Sequence, residues 1–170
     1  MPLIFRHFAL VLILFTGINA VIAARRVPTF FATDLQAQTD AARFVWRVAA
    51  LLMALFLVLE VLTVASRSDS PLCFLPLPGV SGTRAYIAWG MWIGWIGAVT
   101  LWVVFAAGAD RVARFGPLFA RGAQPGYAYN SRIVRLLTIV WCVGSLAIPL
   151  AMPKSDRLPM TCSDFRVGAH

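Results

Sequence analysis

Four long runs of apolar residues, separated by shorter segments rich in arginine, set the pattern of this chain. A helix that crosses the ~30 Å hydrocarbon layer of a membrane needs about 20 mainly apolar residues at ~1.5 Å each. All four runs are long enough, and none alternates with the period of two that a lipid-facing barrel strand requires. The pattern therefore predicts four transmembrane helices in an up-down bundle, at residues 3–24, 44–65, 85–108 and 133–151.

Composition supports a membrane environment for the whole chain. Apolar residues make up 60% of the sequence and charged residues 13%, and the mean hydropathy is +0.79, whereas a soluble domain carries about 25% charged residues. A soluble fold of this length could not cover its surface with so few polar side chains. We expect one all-α integral membrane domain spanning residues 1–170.

The first run has a second interpretation. Arg6 and His7 followed by an apolar stretch and the small residue Ala23 also fit a cleavable secretory signal. Removal of that segment would leave three spans. We interpret it as a retained helix.

The distribution of positive charge predicts the orientation of the helices. Nine lysines and arginines fall in the first and third predicted loops, and six in the two tails and the middle loop, which together make the fifteen in the chain. Because cytoplasmic loops carry the excess, both termini are expected on the exterior, periplasmic side of a bacterial inner membrane. The net charge of +8 is spread over short loops without a compact basic domain, so it indicates anionic lipids as partners and not nucleic acid.

Two of the predicted loops carry signals for local structure. Thr33–Asp34–Leu35–Gln36 has the form of a capping box, which predicts a short interfacial helix in the first loop or an extension of the second span. The alternative is an irregular loop. The third loop, from Ala109 to Ser131, mixes aromatic rings with arginines, as is typical of the membrane interface, and could also hold a short helix. Asn130 is the expected cap of the fourth span.

Two of the three cysteines lie on one predicted face of the membrane. Cys73 is in the proline-rich middle loop and Cys162 in the C-terminal tail, both on the exterior side, where a disulfide could form. The alternative is two unpaired thiols in separate loops. Cys142, inside the fourth span, is expected to behave as a small apolar residue.

Few polar side chains lie inside the predicted spans. Glu60 is well inside the second span, where a carboxylate is costly unless it is neutral, paired or hydrated. Arg6 and His7 lie at a matching depth in the antiparallel first span, so we expect Glu60 to pair with one of them, either to fix the helix register or as part of a proton relay. Asn19 could hydrogen-bond across to a neighbouring helix, but helix packing is its expected role.

The third span has two chemically distinct faces. Gly90, Gly94 and Gly97 fall along one stripe, and the three tryptophans at positions 92, 95 and 102 fall on roughly the opposite side. Small residues allow a close approach of another helix. The tryptophans, Trp92, Trp95 and Trp102, are then expected to face lipid, a cofactor or a second protein.

Reactive groups are scarce, and this narrows the candidate functions. The two histidines, His7 and His170, are too few for a haem or metal site built from histidine, and the sequence has no Cys-x-x-Cys and no phosphate-binding loop. No enzyme activity and no metal is predicted, and bound lipid is the expected small-molecule component. We expect a non-catalytic accessory subunit of a larger, energy-transducing membrane complex. The alternatives are a small oligomeric transporter or channel with Glu60 in its pathway, and a quinone- or pigment-binding redox protein.

Overall fold

A computed structural model describes residues 7–66, 71–74, 76, 82–120 and 122–151. These residues form helices joined by short connections, and no strand occurs among them. The helices are α1 (Phe8–Phe30), α2 (Leu35–Ala65), α3 (Gly82–Phe105), α4 (Gly108–Phe115) and α5 (Ser131–Ala151), with 3-10 turns at Pro71–Phe74 and Gly116–Phe119.

Three of these helices are long and apolar enough to cross a membrane: α1, α2 and the Ala85–Phe105 part of α3. The chain thus has the character of an all-helical membrane protein. In addition, α5 forms where the fourth span is predicted. The crossing of the membrane by α5, and with it the four-helix up-down bundle, remains a prediction.

The first connection is much shorter than the sequence predicts. Helix α1 continues past Ala24 to Phe30, and α2 begins at Leu35, well before Phe44. The expectation of a separate interfacial helix here is wrong, and the extension of the second span is what forms. The cap is Asp34 and not Thr33, because the Asp34 carboxylate accepts a 2.8 Å hydrogen bond from the Ala37 N–H.

Helices α1 and α2 pack closely as an antiparallel pair. The buried residues between them are mostly small, which lets the two backbones approach each other. Ala20 and Ala23 of α1 and Ala41, Val45 and Ala49 of α2 are all 2% exposed or less.

The third loop folds over one end of this pair. Helix α3 ends at Phe105, short of the predicted Gly108, and the backbone then reverses through Ala107 at a φ of 57°. A Cβ on Gly108 would lie 2.6 Å from the Trp102 carbonyl oxygen, so glycine is required there. Beyond this turn, α4 confirms the predicted short helix of the third loop, and Phe115 and Leu118 are buried in the same apolar cluster as Ala41.

Helices α3 and α5 form a second, looser pair. Ala88, Ile96 and Val103 of α3 are buried, but no described side chain of α5 is. Asn130 Oδ1 accepts a 2.9 Å hydrogen bond from the Arg132 N–H at the start of α5, as expected of a cap. The Pro71–Phe74 turn contacts both α2 and α3 and so links the two pairs at the end opposite α4.

Candidate functional site

The structure brings His7 and Glu60 together at one end of the α1–α2 pair. The Nδ1 atom of His7 lies 2.8 Å from Oε1 of Glu60, which is 7% exposed. The two residues lie at nearly equal distances along the chain from the turn at residues 31–34, so antiparallel packing places them side by side. Arg6, the other expected partner, lies outside the described residues.

The second oxygen of this carboxylate has no hydrogen-bond partner among the described residues. Glu60 Oε2 is buried without a hydrogen bond to any described residue, and the preceding residue, Leu59, belongs to a buried apolar cluster with Ala9 and Phe74. A single specific hydrogen bond in an apolar environment fixes the register of two helices, because any slip would leave the carboxyl group wholly unpaired. Both roles expected of Glu60, fixing the helix register and acting in a proton relay, stay predictions.

The glycines of α3 point away from the rest of the described chain. A Cβ built on Gly90, Gly94 or Gly97 would meet no atom within 4 Å. Large exposed side chains flank this stripe: Tyr86 is 82% exposed and Leu101 is 61% exposed. We call this surface the glycine face; it consists of Tyr86, Gly90, Ile93, Gly94, Gly97 and Leu101.

Two of the predicted tryptophans point inward, which differs from the expected outward-facing stripe. The Trp92 indole N–H donates to the Ser145 carbonyl oxygen of α5 at 2.9 Å. The Trp102 ring stacks on Phe44 of α2, with centroids 6.4 Å apart. Trp95 is half-buried. A helical wheel correctly separates the two faces, but it does not tell which face the rest of the protein covers.

The bond from Trp92 has a specific cause in the sequence of α5. In a helix, the Ser145 carbonyl would accept from the N–H of residue 149. That residue is Pro149, which has no N–H, so the carbonyl lacks its helical partner. The indole of Trp92 supplies the missing donor and fastens α3 to α5 at this point.

Arg26 has a role that the sequence analysis missed. Its guanidinium donates to the carbonyl oxygens of Leu118, Ala120 and Ala123 at 2.7, 2.7 and 3.2 Å. It also lies 4.8 Å from the centre of the Phe30 ring. The sequence alone identifies Arg26 only as one of the positive charges of the first predicted loop. In the fold it ties the third loop to α1.

The remaining predicted residues are placed as follows. Asn19 donates to the Phe15 carbonyl of its own helix at 2.9 Å, and its expected role in helix packing stays a prediction. Cys142 is a half-buried free thiol in α5. Cys73 is fully buried, whereas Cys162 lies outside the described residues, and their disulfide stays a prediction.

No cluster of three or more histidines, cysteines or acidic residues that could hold a metal ion occurs among the described residues. Comparisons with protein-family models, with curated proteins and with solved structures found no match. A function must therefore be argued from the surfaces and contacts of the chain itself.

Proposed function

We propose that this chain is a non-catalytic accessory subunit of a larger membrane protein complex, and that a helix of another integral membrane protein packs on its glycine face. The observation that carries this proposal is the open space beside all three glycines. In lipid, helices associate mainly through van der Waals contact between closely spaced backbones, and small residues permit that contact.

The shape of the glycine face supports a helical partner. Gly90, Gly94 and Gly97 leave a shallow channel along α3, and Tyr86, Ile93 and Leu101 stand beside it with more than half of their surface exposed. A helix lying in this channel would contact backbone and flanking side chains together. Mobile acyl chains would fill the same channel less completely.

The two alternative functions have less support. Glu60 lies within the α1–α2 pair and is bonded to His7, so it does not line a free surface of the described chain. Trp92 and Trp102 make contacts within the protein, which leaves less ring surface for a quinone or pigment. The transport hypothesis rests on Glu60 alone, and the quinone or pigment hypothesis rests on the tryptophans alone. The proposed packing role accounts for the open space beside all three glycines.

The wider setting is part of the same proposal. The proposed host is an energy-transducing complex of a bacterial inner membrane, with both termini of the chain on the exterior side. The excess of arginines in and beside the first and third connections agrees with this orientation. The Cys73–Cys162 disulfide would also lie on that exterior side.

The proposal is tested by copurification of a tagged chain in mild detergent. Gly94→Leu fills the channel of the glycine face, whereas the control Gly17→Leu adds the same side chain on α1, also where no atom lies within 4 Å. We expect Gly94→Leu to reduce the recovered partner about tenfold, since overpacking costs about 1–3 kcal/mol and ~1.4 kcal/mol is a factor of ten.

The control should recover the partner at the wild-type level. A wild-type chain that purifies as a monodisperse monomer would contradict the proposal. An equal loss of recovered partner in both variants would show that the partner does not bind at the glycine face.

A further inference from the structure

A cavity of about 550 Å³ opens between the first part of α2, the end of α3 and helix α4. Four arginines line it: Arg43 and Arg47 from α2, and Arg111 and Arg114 from α4. All four side chains are exposed. Cavities of this size are large enough to hold part of a small amphiphile.

The cavity carries unbalanced positive charge. Arg114 already pairs with Asp34 at 3.3 Å, and the cavity-lining Asp110 lies 3.8 Å from Arg135. Arg43, Arg47 and Arg111 have no carboxylate within 4.0 Å among the described residues, and Asp40 is the remaining acidic residue of the lining. Three unpaired arginines against one aspartate leave a net charge of +2, which favours an anion.

The lining changes from charged to apolar along one face of α2. Arg43 and Arg47 alternate with Phe44 and Val48, and the face ends at Leu51. The rise from Arg43 to Leu51 is ~12 Å, or eight residues at ~1.5 Å each. The Trp102 ring, which stacks on Phe44, forms the opposite wall. A ligand that fills this cavity needs an anionic end and an apolar end.

We infer that the cavity binds one anionic phospholipid of the surrounding membrane. The guanidinium groups of Arg43, Arg47 and Arg111 bind its phosphate oxygens, for which their forked donors are well suited. The first part of an acyl chain lies along Val48, Leu51 and Trp102. A soluble phosphate ester would satisfy the arginines but leave the apolar end uncovered. This site is separate from the glycine face and does not depend on a protein partner there.

The test measures lipid retention by the purified full chain in detergent, using native mass spectrometry. Three probes are added separately: dioleoyl-phosphatidylglycerol, dioleoyl-phosphatidylcholine and glycerol 3-phosphate. We expect one retained phosphatidylglycerol, bound at least about tenfold more tightly than either other probe, because only this lipid offers both an unbalanced negative charge and acyl chains.

Matched variants locate the site. R43Q/R47Q removes two cavity arginines, whereas R25Q/R132Q removes two exposed arginines that do not line the cavity. The first pair should weaken phosphatidylglycerol binding by about tenfold or more, and the second should leave it near the wild-type value. Leu51→Gln, an exposed substitution at the apolar end, should weaken the lipid severalfold.

Three outcomes would overturn the inference. If R43Q/R47Q and R25Q/R132Q weaken phosphatidylglycerol binding equally, the lipid is attracted by the overall positive charge of the chain and not by this cavity. Equal retention of phosphatidylcholine would mean a purely apolar contact. Binding of glycerol 3-phosphate as tight as that of phosphatidylglycerol would mean a soluble phosphate ligand, with no role for Leu51.

Discussion

The α1–α2 pair and the α3–α5 pair differ sharply in how they are packed. Between α1 and α2, alanines and Val45 are buried almost completely, and the third loop covers one end. Between α3 and α5, few residues are buried, and the main polar contact is the bond from Trp92 to Ser145. The small residues of the two pairs also point differently: Ala20, Ala41 and Ala49 are buried within the first pair, whereas Gly90 and Gly94 of α3 are exposed.

The small residues of the two pairs lie in different surroundings. Ala20 and Ala23 of α1 and Ala41 and Ala49 of α2 are buried within the chain. A Cβ built on Gly90, Gly94 or Gly97 of α3 would instead meet no atom within 4 Å. The α1–α2 pair therefore needs no further helix to cover its small residues. The looser pair retains an unused packing surface, and this is the physical basis of the proposed function.

The largest expected effect is on the stability of the tight pair. Ala41 is fully buried, so Ala41→Leu should overpack the helices and lower the free energy of unfolding by about 3 kcal/mol. Ala50→Leu, an exposed change on the same helix, should have little effect. Thermal unfolding in detergent measures both. Comparable destabilisation by Gly94→Leu would show that the two pairs do not differ as described.

The second prediction concerns Arg26, which joins the third loop to α1. Arg26→Gln should lower the free energy of unfolding by about 2 kcal/mol, since three carbonyl groups lose a charged donor. Its neighbour Arg25 is exposed, and Arg25→Gln should change stability very little. Limited proteolysis between residues 116 and 130 should be faster in the Arg26 variant alone. Equal cleavage in both variants would contradict this role.

The smallest expected effect is at the contact between α3 and α5. Trp92→Phe removes the indole donor and should cost about 1 kcal/mol. In a Pro149→Ala background the Ser145 carbonyl regains a helical N–H, so the same change should cost less. A double-mutant cycle of unfolding free energies measures this coupling. If the effects of Trp92→Phe and Pro149→Ala on the free energy of unfolding add, the Trp92 indole does not replace the N–H that Pro149 lacks.

Much of the helical framework could be predicted from the sequence. The apolar runs located α1, α2 and α3, and the position of Asn130 located the start of α5. The depth of Glu60 relative to His7 followed from antiparallel geometry. These features are local or depend only on counting residues from a turn.

Other features could not be predicted, for identifiable reasons. The first span is predicted to end at Ala24, before Arg25 and Arg26, whereas α1 continues to Phe30. Arginines are compatible with this extension because their side chains can reach along a helix to polar groups. The carbonyl partners of Arg26 lie 92 to 97 residues away along the chain. The inward direction of Trp92 and Trp102 depends on where α2 and α5 pack, which a helical wheel of α3 alone does not contain.

Site-specific photo-crosslinking in intact membranes tests the central claim most directly. A photoreactive residue replaces Ile93 on the glycine face or, as a control, Leu14 on α1; both positions are more than half exposed. The account predicts a discrete adduct with one other membrane protein from position 93, and adducts with lipid alone from position 14. Lipid adducts alone from both positions, or the same protein adducts from both, would contradict it.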